Sequence, residues 1–405
     1  MTRLLPMLAL LFWLPPLASA ATMCVNTTGT GGCFPTIQQG VDAALSGDTI
    51  DVAAGVYVER VVVAKRKRLR LQGAGPTATI IDGNGAGTVL KIKGPNTNMT
   101  VSGIGIRNGE RGLVFGERVT INVSDCAITD NAGGGGISGN GSGSSTTVAR
   151  CTISGNSSTL TGGGIRIVPK FRSWTRVKVV SSTIRGNAAA IRGGGIYVEG
   201  TLALIDSSVD DNSAEAGGGV AAEDLRVETS TISGNASLNG SGGGISASNA
   251  TIRNSTISGN AATGGGGGVS AEHLRLEHAT IANNTADLAG GGIFAGRMTL
   301  RASLVGDNFA PSGSDCSSDH ARGVGVNLIE DTTSCELSTP GKSVVLNADP
   351  MLGPLQNNGG TTETQALLAG SPAIGVVTTK ALCKAPDQRG EPRTVPCDLG
   401  AYEAS

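Results

Sequence analysis

The chain is poor in aromatic residues, in histidine and, after residue 20, in long apolar runs. Aromatic residues make up 3% of its 405 residues, and 31 Lys and Arg nearly balance 32 Asp and Glu. This balance argues against the basic surface that nucleic-acid binding requires, so we predict no nucleic-acid partner. No segment beyond residue 20 is apolar and long enough to span a bilayer. His273, His278 and His320 show no metal-ligand spacing, and we predict neither a metal nor a cofactor.

The first twenty residues are the exception to this scarcity of apolar runs. They contain one basic residue, Arg3, then a short apolar run, and they end on the small residues Ala18, Ser19 and Ala20. This pattern is typical of a secretory signal peptide that is cleaved after Ala20. We therefore expect an exported mature chain without a transmembrane segment, located outside the cell, on its outer surface or in the periplasm.

All eight cysteines lie in the mature part, where export permits disulfides. Proximity along the chain suggests three pairs, although many connectivities remain open for eight cysteines. The suggested pairs are Cys24 with Cys33, Cys316 with Cys335, and Cys383 with Cys397. Cys126 and Cys151 are left over.

Glycine and a recurring asparagine dominate the middle of the chain. Glycine accounts for 63 residues, well above the usual ~7%. A short run such as "STISGN" recurs at intervals of 23 to 31 residues, and a glycine cluster followed by Ile or Val comes after most copies. A repeat of this length predicts a solenoid. The recurring asparagines are Asn131, Asn156, Asn187, Asn212, Asn235, Asn260, Asn284 and Asn308.

Within each repeat, apolar and polar residues alternate with a period of two in three short runs. This alternation predicts three strands per coil, and therefore a parallel β-helix. Leucine-rich repeats are excluded because their L-x-x-L-x-L spacing is absent, and calcium-binding nonapeptide repeats because the glycine clusters lack their recurring Asp.

Stacked coils place equivalent residues in columns. The asparagines should form a hydrogen-bonded ladder along one edge, at a bend where Asn adopts a left-handed backbone. A second column, two positions before the buried Ile, holds small residues. Cys126 and Cys151 are neighbours in it, either as a disulfide or as two stacked free thiols. This column reads Cys126, Cys151, Ser182, Ser207, Ser230, Ser255, Ala279 and Ala302.

The segments that flank the repeats have other patterns. Ile37, Val41, Ala44 and Leu45 follow helical spacing, which predicts a short helix that covers the open end of the β-helix. We therefore expect four parts: the signal peptide (1–20), an N-terminal cap (21–48), a β-helix (49–310) and a disulfide-containing C-terminal domain (311–405). At the usual strand spacing, the β-helix should contain about 11 coils.

The opening of the mature chain, "GDTIDVAAGVYVERVVVAKRKRLRLQGAG", resembles the first coils of the pectin-lyase-like right-handed parallel β-helix superfamily. The repeats, with Gly-Gly-Ile and a downstream Asn, resemble those of polymorphic outer-membrane proteins. The end of the chain, with "ADPMLGPLQNNGG", "GSPAI", "DQRG" and "CDLGAYE", resembles the choice-of-anchor Q domain of secreted bacterial β-helix proteins. Gly375 departs from that pattern, because Asp is usual there. These resemblances imply the fold and leave the activity open.

One interval of the repeat, from Asn156 to Asn187, is longer than the others and contains the insertion "VPKFRSWTRVKVV". Cations and aromatic rings in one loop suit a sugar that bears carboxylates. The candidate binding residues are Lys170, Arg172, Trp174 and Arg176. The alternative is a longer turn whose Trp packs against the coils.

The sequence shows no catalytic residues, because we find no column that places two acids in neighbouring coils beside a cation and an aromatic residue. We therefore expect an exported bacterial protein that is not an enzyme and that mediates cell-surface or extracellular interaction, with a polysaccharide or cell-surface glycan as its partner. The alternative is a polysaccharide lyase or glycoside hydrolase acting on acidic polysaccharide, which would need clustered acids with a base, or paired carboxylates. A structural envelope protein is the second alternative.

Overall fold

The computed structural model describes residues 20–64, 66–170, 175–341 and 343–404. These residues form an all-β parallel solenoid. One α-helix, Ile37–Ala43, lies between its first two strands. An antiparallel pair, Leu352–Gln356 with Thr364–Leu367, and a 3-10 helix, Leu382–Lys384, follow it. No helix in this part of the chain has the length and apolar character to cross a membrane.

The largest sheet, sheet 1, has 19 strands in two adjoining rows. From residue 196 onward the two rows are joined within single strands of nine or ten residues, until the last short strand. Its strands are Thr22–Val25, Thr49–Val52, Val61–Val63, Arg68–Gly73, Thr88–Ile92, Thr97–Ser102, Arg111–Phe115, Val119–Ser124, Ile137–Asn140, Ser145–Ala149, Ile165–Val168, Arg176–Val180, Ile196–Ile205, Val220–Glu228, Ile245–Arg253, Val269–Glu277, Ile293–Arg301, Cys316–Val324 and Ser334–Ser338.

Sheets 2 and 3 complete the coils. Sheet 2 contains Gly55–Val58, Thr79–Asp82, Gly105–Arg107, Ala127–Thr129, Thr152–Ser154, Thr183–Arg185, Ser208–Asp210, Thr231–Ser233, Thr256–Ser258, Thr280–Ala282, Leu304–Gly306, Val326–Ile329 and Val344–Leu346. Sheet 3 contains the two-residue strands Ala132–Gly133, Ser157–Ser158, Ala188–Ala189, Ser213–Ala214, Ala236–Ser237, Ala261–Ala262 and Thr285–Ala286.

Sheet 2 gives the number of coils, because each coil contributes one strand to it. It has 13 strands, so the expected 11 coils were two too few. The two additional strands, Val326–Ile329 and Val344–Leu346, lie beyond residue 310, where we expected the β-helix to end. The repeat signature fades there, since Asp315 and Cys316 occupy the places that Gly292 and Ile293 hold one coil earlier.

The core is a stack of inward-facing aliphatic side chains. Ile232 pairs in register with Val209 on one side and Ile257 on the other, and all three are fully buried. Burying one such side chain stabilises the fold by roughly 1.5–3 kcal/mol. The alternation that keeps these residues inside also directs their neighbours outward, onto the surfaces where a ligand can bind.

The eight asparagines form one continuous buried ladder. The Asn235 side-chain amide donates to Asn260 Oδ1 at 2.9 Å, while Asn235 Oδ1 accepts from the amide and the backbone N–H of Asn212, both at 3.0 Å. The asparagines themselves are not left-handed, contrary to our expectation. The left-handed residue is the one directly before each of them, so that the Asn can point inward. These residues are Asp130, Gly155, Gly186, Asp211, Gly234, Gly259, Asn283 and Asp307.

A carboxylate replaces asparagine at the end of this ladder. Asp315 Oδ1 accepts from the Asn308 amide at 2.9 Å and from the Asn308 backbone N–H at 3.3 Å. The Asp315 side chain therefore takes the position that the next Asn would occupy, and it is itself buried.

The column of small residues forms a second ladder, in which backbone N–H groups donate to hydroxyls of the next coil. Cys151 donates in this way to Ser182 Oγ at 3.1 Å. At the end of the predicted column the hydroxyl belongs to Ser303 and not to the expected Ala302, because Ile281 pairs with Val305.

The structure contains three disulfides and two free cysteines. Cys24–Cys33, Cys316–Cys335 and Cys383–Cys397 are bonded, with Cα separations of 4.7, 5.6 and 5.8 Å. Cys126 and Cys151 are buried free thiols in adjacent coils. Their Sγ–H groups donate to the carbonyls of Ser124 and Ala149, at 3.1 and 3.3 Å.

The N-terminal helix packs against the first strands. Thr36 caps it by accepting from the Gln39 N–H, and Lys67 Nζ donates to the carbonyl of Val41 near its C-terminal end, at 2.9 Å. Ile37 and Val41 are buried, but Leu45 is 69% exposed. Leu45 is outside the helix because the helix ends at Ala43 and the chain continues in an extended conformation.

The chain after residue 350 folds back onto the outer surface of sheet 2. Gln388 Oε1 accepts from Thr256 Oγ1 at 2.7 Å, and Gln388 Nε2 donates to Thr231 Oγ1 at 2.9 Å. The Ala401 N–H donates to Thr280 Oγ1 at 3.0 Å. These outward-facing threonines are buried, so this part of sheet 2 is closed to a ligand while sheet 1 remains open.

Candidate functional site: a groove on sheet 1

A groove follows the outer surface of sheet 1, along the line where the two halves of its long strands meet. It consists of two adjoining cavities of about 950 and 650 Å³, which share Ser246, Ala247 and Glu272. The groove extends from the coil that carries the insertion to the coil of His320. At the meeting line two consecutive side chains of a strand are exposed, as in Glu223 and Asp224. This break in the alternation crowds polar groups along the groove.

The floor of the groove is a column of small residues between two aromatic rings. In register, Ala221, Ser246 and Ser270 lie between Tyr197 and Phe294. At a strand spacing of ~4.8 Å these four steps span roughly 19 Å. Small side chains leave room for a ligand, and an exposed aromatic ring such as Phe294, 44% exposed, offers a flat apolar surface to a sugar ring.

The predicted binding residues of the insertion are in part located here. Lys170 and Arg176 line one end of the groove together with Arg192. Arg172 and Trp174 lie outside the described residues, so their part in the site stays a prediction. The insertion thus brings at least two of its cations to a surface that a third cation, Arg192 from the glycine-rich turn of the following coil, also lines.

Carboxylates line the middle of the groove. Glu199 and Glu223 occupy neighbouring coils, with Asp224 beside them. The Tyr197 hydroxyl donates to Glu199 Oε1 at 2.9 Å. Burial, and secondarily this bond to Glu199, raises the pKa of Tyr197 to about 12. Tyr197 is therefore a protonated hydrogen-bond donor at neutral pH.

The far end of the groove combines one arginine, two histidines, two acids and an aromatic ring. His273, Arg297 and His320 form one in-register column. Glu272 and Asp319 line the same cavity, and Phe294 closes its floor. Such a mixture of donors, acceptors and one aromatic surface is suited to a polyhydroxylated, charged ligand.

Our sequence reasoning missed the paired acids because of a β-bulge. Counting back from the sheet 2 strands places Gly200 opposite Glu223, but the register shifts between Val198 and Thr201. Both Glu199 and Gly200 therefore face Glu223. The sequence does contain a signal for the bulge. The number of residues from Ile196 to Val209 exceeds by one the number between the equivalent positions of the next coil. Bulges often occur next to functional sites, where they redirect a side chain.

A separate acidic cluster lies where the last coils meet the C-terminal segment. One carboxylate oxygen from each of Asp307, Glu330 and Asp349 lies within 4.8 Å of the others. Burial, followed by the charges of Glu330 and Asp349, raises the pKa of Asp307. Three carboxylates of this kind could hold a divalent cation such as Ca²⁺, which prefers oxygen ligands. No sequence motif marks them because they come from three separate segments.

No protein-family model matches the chain, and no curated protein matches it. Several solved structures are similar. An alginate lyase from Paenibacillus sp. str. FPU-7 is 12% identical, with a TM-score of 0.39, over 74% of this chain and 99% of that one. Pectate lyase Pel9A is 10% identical, with a TM-score of 0.41, over 96% and 98%. Pectin methylesterase from carrot is 14% identical, with a TM-score of 0.32, over 79% and 88%. At these values the similarity concerns the fold alone.

Proposed function

We propose that this protein is exported and binds an acidic polysaccharide in the groove of sheet 1. The observation that carries the proposal is the convergence of Lys170, Arg176 and Arg192 with Tyr197 at one end of a groove with a floor of small residues. The three disulfides fit an oxidising, extracytoplasmic location.

The chemistry of the groove matches this ligand class. Guanidinium groups bind carboxylates through paired, charge-assisted hydrogen bonds. The carboxylates of Glu199 and Glu223 can accept hydrogen bonds from sugar hydroxyls. Tyr197 presents a ring and a hydroxyl oxygen that can accept a hydrogen bond, since its proton is donated to Glu199. An ordinary apolar ligand would gain little here because few large apolar side chains line the cavity.

Binding to oligogalacturonate, measured by isothermal titration calorimetry, tests the proposal. We expect Arg176→Ala and Arg192→Ala each to weaken binding about tenfold, since a hydrogen bond to a charged group contributes roughly 1.5–3 kcal/mol. Arg185→Ala is the matched control, because Arg185 is exposed on sheet 2 and pairs with Asp211 at 3.8 Å. Absence of binding, or an equal loss in the control, would contradict a specific site.

A second candidate function, cleavage of the bound glycan, is favoured by the Glu199–Glu223 pair at the bulge. Neighbouring coils are ~4.8 Å apart, so two extended Glu side chains can reach the roughly 5–10 Å carboxyl separation of glycosidases. In such a pair, one acid protonates the leaving oxygen while the other carboxylate activates water or attacks the sugar. Because Glu199 accepts a hydrogen bond from the Tyr197 hydroxyl, we assign to it the role of the carboxylate that activates water or attacks the sugar.

Product formation tests this second function. We expect new reducing ends to accumulate when the protein is incubated with polygalacturonate or alginate, and Glu223→Gln to slow this at least about 100-fold without loss of binding. The conservative control is Asp224→Asn, the neighbouring exposed acid. Unsaturated products would indicate elimination in place of hydrolysis, and a fully active Glu223→Gln variant would exclude the assigned pair.

We further propose that the C-terminal domain, expected from residue 311 onward, is an accessory domain of the choice-of-anchor Q type, as the sequence resemblance implied, and that its residues 350–404 dock on the coils. Residues of the quoted motifs form a buried ionic network in support of this. Arg389 pairs with Asp387 at 2.8 Å and covers the ring of Tyr402 at 3.7 Å, while Arg393 pairs with Glu403 at 2.9 Å. The network holds this segment together internally, while Gln388 and Ala401 attach it to sheet 2, on a different face from the groove.

A further inference from the structure

The groove has a cationic side chain at each end of a single column. Arg176, Thr201 and Asp224 pair in register, and the column continues through Asn249 and His273 to Arg297. Five steps of ~4.8 Å separate Arg176 from Arg297, or roughly 24 Å. One sugar of an extended polysaccharide is about as long as one coil spacing, so this distance corresponds to about five sugars.

The cation at the second end, Arg297, is available to a ligand, although Glu272 and Asp319 line the same cavity. Arg297 is exposed, and no carboxylate of the described chain lies within ion-pair distance of it. Its in-register neighbours are His273 and His320, which can also donate hydrogen bonds. Phe294 lies three residues before Arg297 on the same strand and lines the same cavity.

The middle of the groove has the opposite charge. Glu199, Glu223 and Asp224 lie between the two cationic ends and are exposed. A sugar carboxylate placed here would be repelled by like charges. An uncharged sugar would instead donate its hydroxyls to these carboxylates.

From this charge pattern, and resting on the proposed function, we infer that the groove takes a glycan of about five or more sugars in which acidic sugars at both ends are separated by uncharged sugars. The acidic sugar at one end contacts Arg176, and the one at the other end contacts Arg297. A fully acidic uronate polymer is the poorer ligand because its interior carboxylates face Glu199 and Glu223.

Two series of oligogalacturonates test the inference with the full mature chain. In the first series, chain length increases from disaccharide to heptasaccharide. We expect affinity to rise about tenfold once the oligomer is long enough to reach Arg297, and Arg297→Ala to abolish this rise while leaving trisaccharide binding unchanged. Arg275→Ala is the control, because Arg275 is on the adjacent strand of the same sheet, outside the groove, where it pairs with Glu277 at 3.9 Å.

In the second series, hexasaccharides with methyl-esterified interior sugars are compared with fully acidic ones. We expect the esterified form to bind several-fold more tightly. Affinity that does not depend on oligomer length, or an equal effect of Arg297→Ala on short and long oligomers, would overturn the inference that acidic sugars bind at both ends of the groove. Tighter binding of the fully acidic form would overturn the inference that uncharged sugars occupy the middle of the groove. Failure of every oligomer to bind would instead contradict the proposed function itself.

Discussion

Replacing Asn235 by Ala is expected to lower the free energy of unfolding by about 3–5 kcal/mol, as much as a large core truncation. The Asn235 side chain exchanges hydrogen bonds with Asn212 and Asn260 and also donates to the Val209 carbonyl at 2.8 Å. Alanine removes all of them and leaves the Asn212 N–H and amide without their partner. Since these groups are fully buried, water cannot replace the lost bonds, and each buried unsatisfied group costs roughly 1–3 kcal/mol.

Equilibrium urea unfolding of wild type and variant gives this difference. Asn239→Ala is the control, because Asn239 is exposed four residues further along the same coil and should change stability by less than about 0.5 kcal/mol. Equal stabilities of the Asn235 and Asn239 variants would mean that the ladder adds nothing to the folded state.

The repeat itself could be predicted from sequence because every coil repeats the same local contacts. Asn235 has an Asn above and below it, so spacing alone identified the column. The same logic failed at the end of the solenoid, where Asp315 replaces Asn and Cys316 replaces Ile. A carboxylate can accept the same two hydrogen bonds as an amide oxygen, but a repeat search based on residue identity does not recognise it.

The groove could not be predicted because it depends on a departure from the repeat. A single extra residue at Gly200 brings Glu199 next to Glu223.

The covering of sheet 2 by the C-terminal segment could not be predicted from the sequence either. Thr231 and Thr256 look like solvent-facing strand residues, yet Gln388, more than 100 residues away in sequence, covers both. Periodicity reports contacts between neighbouring coils and says nothing of contacts over such distances.

Replacing Asp315 by Asn is expected to remove about 3 kcal/mol of pH dependence from the stability of the protein. Burial, with a contribution from the Glu330 charge, raises the pKa of Asp315 from 3.8 to about 6, although hydrogen bonds from Asn308 and Asp331 oppose the rise. A raised carboxyl pKa means that the folded state holds the proton more tightly than the unfolded state. The protonated group therefore favours folding at low pH, and this contribution is lost as the pH rises from about 4 to about 6.

The comparison is best made as the difference in unfolding free energy between Asp315→Asn and wild type, measured by urea at pH 4 and pH 7. Asparagine keeps the acceptor for Asn308 but loses the one that receives the Asp331 N–H at 2.7 Å, so a constant offset is expected at both pH values. On top of this offset, the variant should gain roughly 2–3 kcal/mol relative to wild type between pH 4 and pH 7. A difference that stays the same at pH 4 and pH 7 would show that Asp315 keeps an ordinary pKa, and that the end of the ladder is open to water.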